Sequence, residues 1–380
     1  MNTQKVLILG GNVLYCSLIL YTGCGFVGRN LVAYLISNKL VSFVRVVDKV
    51  PPQVAWLNTH HKEVFNSPLV EFKSANLINP DSCKNAFATE GASWDFVINC
   101  AAETKMGQTD PVYKEGIYKL SLNCAKEAAT LRVKHYVELS SGQVASSEKT
   151  PHKEDAPLDP WSFIAKWKVQ VEKELSKIDG LNYTIIRPAL VYGFGDKVGM
   201  TTRLIIGAVY KQLGETMKLL WNSNLSLNTV YVEDLCKAIW FVCNRDDTIG
   251  QVYNVVDDNS STQGTISDII ADIFNIKVDY YGNLVSTVVD LVVAADEAND
   301  KHLEPWAEAC RKDEIQNTPL TPHMDSELLV NKSLNLDGSK LRSLGFQYEI
   351  PKPTAEKFVA IVKDFTSMNV FPPSLSIGAS

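Results

Sequence analysis

The chain has 380 residues, an apolar fraction of 46% and a formal net charge of -6. That is enough chain for one large or two modest globular domains, and the acidic balance argues against a nucleic-acid partner. Eight cysteines at 16, 24, 83, 100, 124, 236, 243 and 310 contain no Cys-x-x-Cys pair, and no histidine cluster has zinc-ligand spacing, so reduced thiols in a cytoplasmic protein without a metal are expected.

Strand-like and helix-like segments alternate through the first half. VLIL leads into a glycine region and the helix-like NLVAYLI. FVRVVD (Phe43–Asp48) follows, then LVEFKSANL (Leu69–Leu77) with SCKNAF. WDFVINCAA (Trp94–Ala102) precedes the helical YKEGIYKLSLNCAKEAATL. KHYVELSS (Lys134–Ser141), the amphipathic WSFIAKWKVQVEKELSKI and NYTIIRPALVYG (Asn182–Gly193) continue the pattern. Such alternation predicts an α/β fold, a doubly wound parallel sheet with helices on both faces and ligands at the C-terminal strand edge. Beyond Gly193, Met200–Leu220 reads as helix, and Thr229–Asn244 and Gly250–Asp258 read as a helix and strand returning to the sheet. The expected domains are residues 1–187, with 228–258 returning, as a Rossmann-type nucleotide-binding unit. Residues 188–227 and 259–365 form a smaller interleaved C-terminal substrate lobe, and 366–380 form a flexible tail. His60, His61, His302 and His323 lack ligand spacing and read as solvated. No apolar run reaches the roughly 18 residues that span a bilayer. Gly10-Gly11-Asn12 breaks the one N-terminal run that imitates a signal peptide, so no membrane partner is expected.

Two halves of a nucleotide-binding turn occur near the N-terminus: KVLILGG (Lys5–Gly11), and GCGFVG (Gly23–Gly28) running into RNLVAYLI. Glycines at a strand-to-helix turn let the backbone approach a pyrophosphate, and the helix N-terminus supplies N–H donors. Gly23, Gly25 and Gly28 make G-x-G-x-x-G as written. Joining Gly11 to Cys24 gives VLILGGCGFVGRNLV instead, with Gly10, Gly25 and Gly28 in G-x-x-G-x-x-G spacing. The joined form is the better match to the downstream sequence and leaves NVLYCSLILYT in neither half. The ends of the intervening Asn12–Gly23 can be encoded as a GTAAY splice donor and a CAG acceptor, so the segment is either a translated short intron or a genuine loop insertion. Asp48 ends FVRVVD about 20 residues after the turn, where a carboxylate holds ribose hydroxyls and repels a 2′-phosphate. NAD is therefore expected over NADP.

The joined turn, DFVINCAA, VELSSGQV, RPALVYGFGD, YVEDLCKAI and GQVYNVVDD occur in fixed order across roughly residues 4–365. Together they resemble the extended short-chain dehydrogenase/reductase family, in its NAD-dependent epimerase/dehydratase branch. The resemblance implies a Rossmann-type cofactor domain, a smaller substrate lobe and a tightly held nicotinamide that oxidises a substrate alcohol and often returns the hydride. It implies an oxidoreductase acting on a small molecule such as a nucleotide sugar. By motif, Gly10, Gly11 or Gly23, with Gly25 and Gly28, match the pyrophosphate turn, Phe26 and Val27 its apolar pair, and Asp48 the ribose acid. Asn76-Leu77 stands where the family has Asp-Leu beside the adenine. Cys100, Ala101 and Ala102 match the small residues after the fourth strand. Ser141 matches the catalytic Ser/Thr, and Arg187-Pro188 with Tyr192-Gly193 match the segment closing the nicotinamide pocket.

The family chemistry uses Tyr-x-x-x-Lys on one helix face, where the ammonium lowers the phenol pKa and holds the nicotinamide ribose. Lys168, four residues before Glu172, fits the Lys as a catalytic and cofactor-binding residue, and the Tyr position is then Ile164. Pairing Lys166 with Ser162 gives no tyrosine either; none lies between Tyr136 and Tyr183. Three functions are compatible with this: an oxidoreductase working without the phenol, a non-catalytic dinucleotide-binding or redox-sensing protein, or a scaffold with a vestigial site. The family often pairs through the helix that carries this motif. The apolar Phe163, Ile164, Trp167, Val171 and Leu175 would serve either a homodimer or the core, and Trp161, Phe163 and Trp167 read as packing between lobes rather than ligand stacking.

Overall fold

The computed structural model describes residues 17–21, 23–88 and 94–377. Its main sheet contains β1 (Ser17–Tyr21), β2 (Phe43–Asp48), β3 (Val70–Ser74), β4 (Phe96–Asn99), β5 (His135–Leu139), β6 (Tyr183–Pro188) and, after β7 (Leu190–Tyr192), β8 (Met217–Leu219) and β9 (Thr229–Tyr231), also β10 (Gln251–Val255). The order β10-β6-β5-β4-β1-β2-β3 is parallel throughout. The strands are short apolar runs because a parallel sheet is covered on both faces: in β2, Val44 and Val46 enter one core and Val47 the other.

The first face is covered by α1 (Phe26–Ser37) and α2 (Thr59–Phe65). The second is covered by α3 (Pro80–Phe87), then α4 (Asp110–Tyr113) running through a π-helical turn, Lys114–Lys119, into α5 (Leu120–Thr130), and by α6 (Phe163–Leu175). α7 (Met200–Leu213) opens the smaller lobe. α8 (Val232–Cys243) returns to the first face and packs on α1. The lobe continues with α9 (Gln263–Phe274), β11 (Val278–Tyr280), α10 (Gly282–Thr287) and α11 (Leu291–Lys312). α12 (Ser339–Ser343) and α13 (Ala355–Ser367) come last. Small two-stranded sheets, β11-β8 and β7-β9, complete it.

Four expectations need correction. Ser17–Tyr21, inside the segment assigned to neither half-signature, is an interior strand between β4 and β2, with Ser17 opposite Phe43 and Leu18 opposite Phe96. SLILY and KVLIL are equally apolar, and the run contiguous with the turn needs no connecting loop. Gly10 and Gly11 lie outside the described residues. The helix expected over Met200–Leu220 ends at Leu213, where Gly214 adopts a left-handed conformation, φ 66°, that closes it. Part of the expected lobe belongs to the sheet: Leu334, Leu336, Leu341, Phe346 and Tyr348 are buried in the core of the first face with Val255 and Val256. The expected flexible tail is packed through Ile377, because Val370, Phe371 and Leu375 fill the lobe core beside Trp306.

Phe371 is fully buried, so Phe371→Ala should cost about 3–5 kcal/mol in denaturant unfolding. A loss below about 0.5 kcal/mol, the surface value, would contradict a packed C-terminus.

Candidate functional site

In a sheet of this order, the helix connections reverse direction between β1 and β4, and ligands bind beyond the strand ends there. The Gly23–Gly28 turn leaves β1 at that point and Cys100–Ala102 leave β4. A Cβ on Gly23 would lie 2.4 Å from Val46 Cγ1, so only glycine fits. Gly25 caps α1. Arg29, almost fully buried, donates to the carbonyls of Cys24, Gly25, Ala55 and Trp56 and fixes the turn from behind. Phe26 and Val27 are half-buried against the first-face core. Asp48 ends β2 beside the turn: Cys24 N donates to Oδ2 at 3.3 Å and Val50 N to Oδ1 at 3.0 Å. Burial raises the Asp48 pKa against these backbone bonds.

Around this turn, Asn76 is exposed, with its Oδ1 accepting from Ile78 N, while Leu77 is buried. Asn123 of α5 donates to the Leu77 and Ile78 carbonyls, both at 3.0 Å, and holds that loop in place. Asn99 Oδ1 accepts from Ala101 N and shapes Cys100–Ala102. Burial pushes the Cys100 thiol up to about 12, opposed by nearby Lys168.

α6 brings the remaining candidates. Ser162 caps it by accepting from Ala165 N. Ile164 is half-buried and packs into the second-face core with Tyr118 and Trp167. One turn later the buried Lys168 donates to Glu138 Oε1 at 3.1 Å and to Leu139 O at 2.5 Å. Another turn on, Glu172 pairs with Arg187 of β6, at 2.5 Å to Oε2 and 3.1 Å to Oε1, and accepts from Ser140 Oγ at 2.5 Å. Arg187 also donates to Glu154 O. The Arg187 guanidinium thus ties β6 to α6, and Pro188 ends the strand behind it. Ser141 accepts from Gln143 N at 3.1 Å, capping the turn after β5. Phe163 stacks on Tyr113, and Trp167 packs on Tyr118 and donates to Asp110.

Among the described residues no tyrosine hydrogen-bonds to Lys168; Tyr113, stacked on Phe163, donates to the Lys105 carbonyl instead. Tyr192, fully buried against Tyr231 and Phe358, is raised by burial far above an ordinary phenol. Tyr136 donates to Glu138. Among the described residues, no group of His, Cys, Asp or Glu could hold a metal, no helix is long and apolar enough to cross a membrane, and seven cysteines are free thiols.

A family model described as the NAD dependent epimerase/dehydratase family matches residues 19–255. The chain belongs to that family. It is similar in fold to UDP-glucose 4-epimerase of Thermotoga maritima, with TM-score 0.66 and 18% identity over 92% of this chain and 99% of that one. The dTDP-glucose 4,6-dehydratase of Streptomyces venezuelae, solved with NAD bound, gives TM-score 0.67 and 18% identity over 92% and 97%. UDP-N-acetylglucosamine 4-epimerase of Methanobrevibacter ruminantium gives 0.65 and 20% over 93% and 99%. No curated protein matches the chain. The lining at this turn is compatible with a dinucleotide: Val46 leaves no room for a Cβ on Gly23, and the Asp48 carboxylate faces the turn.

Sequence reasoning missed three charged groups. Glu138 lies mid-strand and fully buried. Arg203, on the first turn of α7, is a half-buried guanidinium with its pKa lowered by burial, beside the Tyr280 phenol and outside every ion pair among the described residues. Asp257, just after β10, is buried, accepts from Thr229 Oγ1 at 2.5 Å, and has its carboxyl raised to about 7 by burial. His61 and His302, expected in solvent, are also buried; burial lowers them to about 3 and about 4.

Folding raises the Asp257 pKa from 3.8, so its cost is absent below that value and grows as pH rises toward neutrality. Asp257→Asn should therefore stabilise the protein by on the order of a few kcal/mol at neutral pH and leave it unchanged near pH 3. Equal shifts in thermal melts at both pH values would contradict this.

Proposed function

We propose that the protein binds NAD(H) at the β1–α1 turn and works as an epimerase/dehydratase-type oxidoreductase on a small anionic substrate of the nucleotide-sugar class. The observation that carries the first half is the pairing of the Asp48 carboxylate with the backbone of a glycine turn too tight for any other residue at 23. Gly23, Gly25 and Gly28 would admit the pyrophosphate to the α1 N-terminus. Asp48 would take the ribose hydroxyls and exclude a 2′-phosphate, with Asn76 and Leu77 beside the adenine. Cys100, Ala101 and Ala102 leave room at the end of β4. Lys168 has two N–H bonds committed to Glu138 and Leu139, leaving a third donor for the nicotinamide ribose. The nicotinamide supplies hydride acceptance and return when bound. Arg203 supports the second half, since a half-buried guanidinium in the lobe, outside every ion pair among the described residues, is suited to a phosphate or carboxylate.

Isoleucine at 164 transfers no proton, which favours a second reading: a dinucleotide-binding or sensing protein without ordinary turnover. Ser141 is the hydroxyl the fold leaves to polarise a substrate oxygen, and a serine alone is a weak base.

NADH titration by fluorescence separates these. Saturable binding, with NADPH at least about tenfold weaker, about 1.4 kcal/mol, is expected. Reduction of bound NAD by UDP-glucose or dTDP-glucose, lost in Arg203→Ala, would support the oxidoreductase, and its absence the binding protein. No NADH binding by folded protein would overturn both.

A further inference from the structure

We infer that Glu138 is a positioning residue of this site, a built-in anion that takes over the partnership a phenol would have with Lys168 and holds its ammonium at the strand edge. This rests on the site being a dinucleotide site. The carboxylate is fully buried, in β5 and one residue before the carbonyl that also accepts from Lys168. Its four contacts come from four elements. Oε2 accepts from Asn99 Nδ2 of β4 and from Tyr136 OH of β5, both at 2.7 Å. Oε1 accepts from Ser121 Oγ of α5 at 2.9 Å and Lys168 Nζ of α6 at 3.1 Å.

A carboxylate in this position is expensive unless paired and hydrogen-bonded. Here the lone pairs are satisfied with little freedom left, and the network has one cation, Lys168. A Tyr-x-x-x-Lys site sets the lysine against a phenol one turn before it. Ile164 leaves that side apolar, and Glu138 supplies the negative charge from beneath, out of the strand. Two of the lysine's donors are thereby committed, to Glu138 and to the Leu139 carbonyl, with no phenol involved.

Two readouts test this. Heteronuclear NMR of the cofactor-free protein, labelled at lysine Nζ, should show a slowly exchanging resonance that Lys168→Met removes. Glu138→Gln should abolish it. Glu138→Asp, which keeps the charge on a shorter arm and serves if the Gln variant does not fold, should shift it. Survival of the resonance unchanged in these variants, or its absence in the parent, overturns the hold on Lys168. In NADH titrations, Glu138→Gln should weaken binding at least about tenfold in the parent but less than twofold in a Lys168→Met background. An equal penalty in both backgrounds would make Glu138 a fold element only, overturning its positioning role. If the parent binds no NADH, the dinucleotide reading fails, and the resonance alone supports or overturns the hold.

Discussion

The site depends on a carboxylate and an ammonium buried together between β5 and α6. Lys168 and Glu172, one turn apart, pair respectively with Glu138 from β5 and Arg187 from β6. Each pair joins helix to strand in a region closed to water. Removing one partner from such a pair costs about 3–5 kcal/mol, because the other is left buried and uncompensated. α6 is therefore set in register on the sheet, and with it Ile164, Ser162 and the aromatic side chains that pack on the π-helical turn. The glycine turn is fixed by a parallel device, Arg29 gripping four carbonyls behind it while Asp48 receives its backbone in front.

This makes the absence of a phenol at 164 a local change rather than a collapse of the site. The features that would hold a dinucleotide are built from backbone, a carboxylate and a lysine, and none of them uses the tyrosine. Proton transfer is the step that lacks a group. On the proposed reading, binding is separable from turnover, and Arg203 is the group in the lobe that would meet a substrate anion.

The glycine turn, Asp48, the alternation of strands and helices and the missing tyrosine are legible in the sequence because each is a local spacing. The position of β1 is not, because two apolar runs precede the glycines and only strand pairing with Phe43 and Phe96 separates them. Glu138 escapes a reading of the sequence because a charged residue in an alternating strand looks like the solvent face; its burial comes from donors distant in sequence, Asn99, Ser121 and Lys168. His61 escapes for the same reason: its ring contact is to Asn30 of α1. Residues 366–377 combine prolines, serines and five apolar side chains, and composition gives no sign that Val370, Phe371 and Leu375 close the lobe core.

The most direct measurement is a crystal structure of the full chain grown with NADH. The pyrophosphate is expected on the N–H groups of Gly25–Gly28 and the adenosine ribose on Asp48. Lys168 is expected on the nicotinamide ribose while still bonded to Glu138. A dinucleotide bound elsewhere, or Lys168 swung away from Glu138 to reach it, would contradict this assignment of the site.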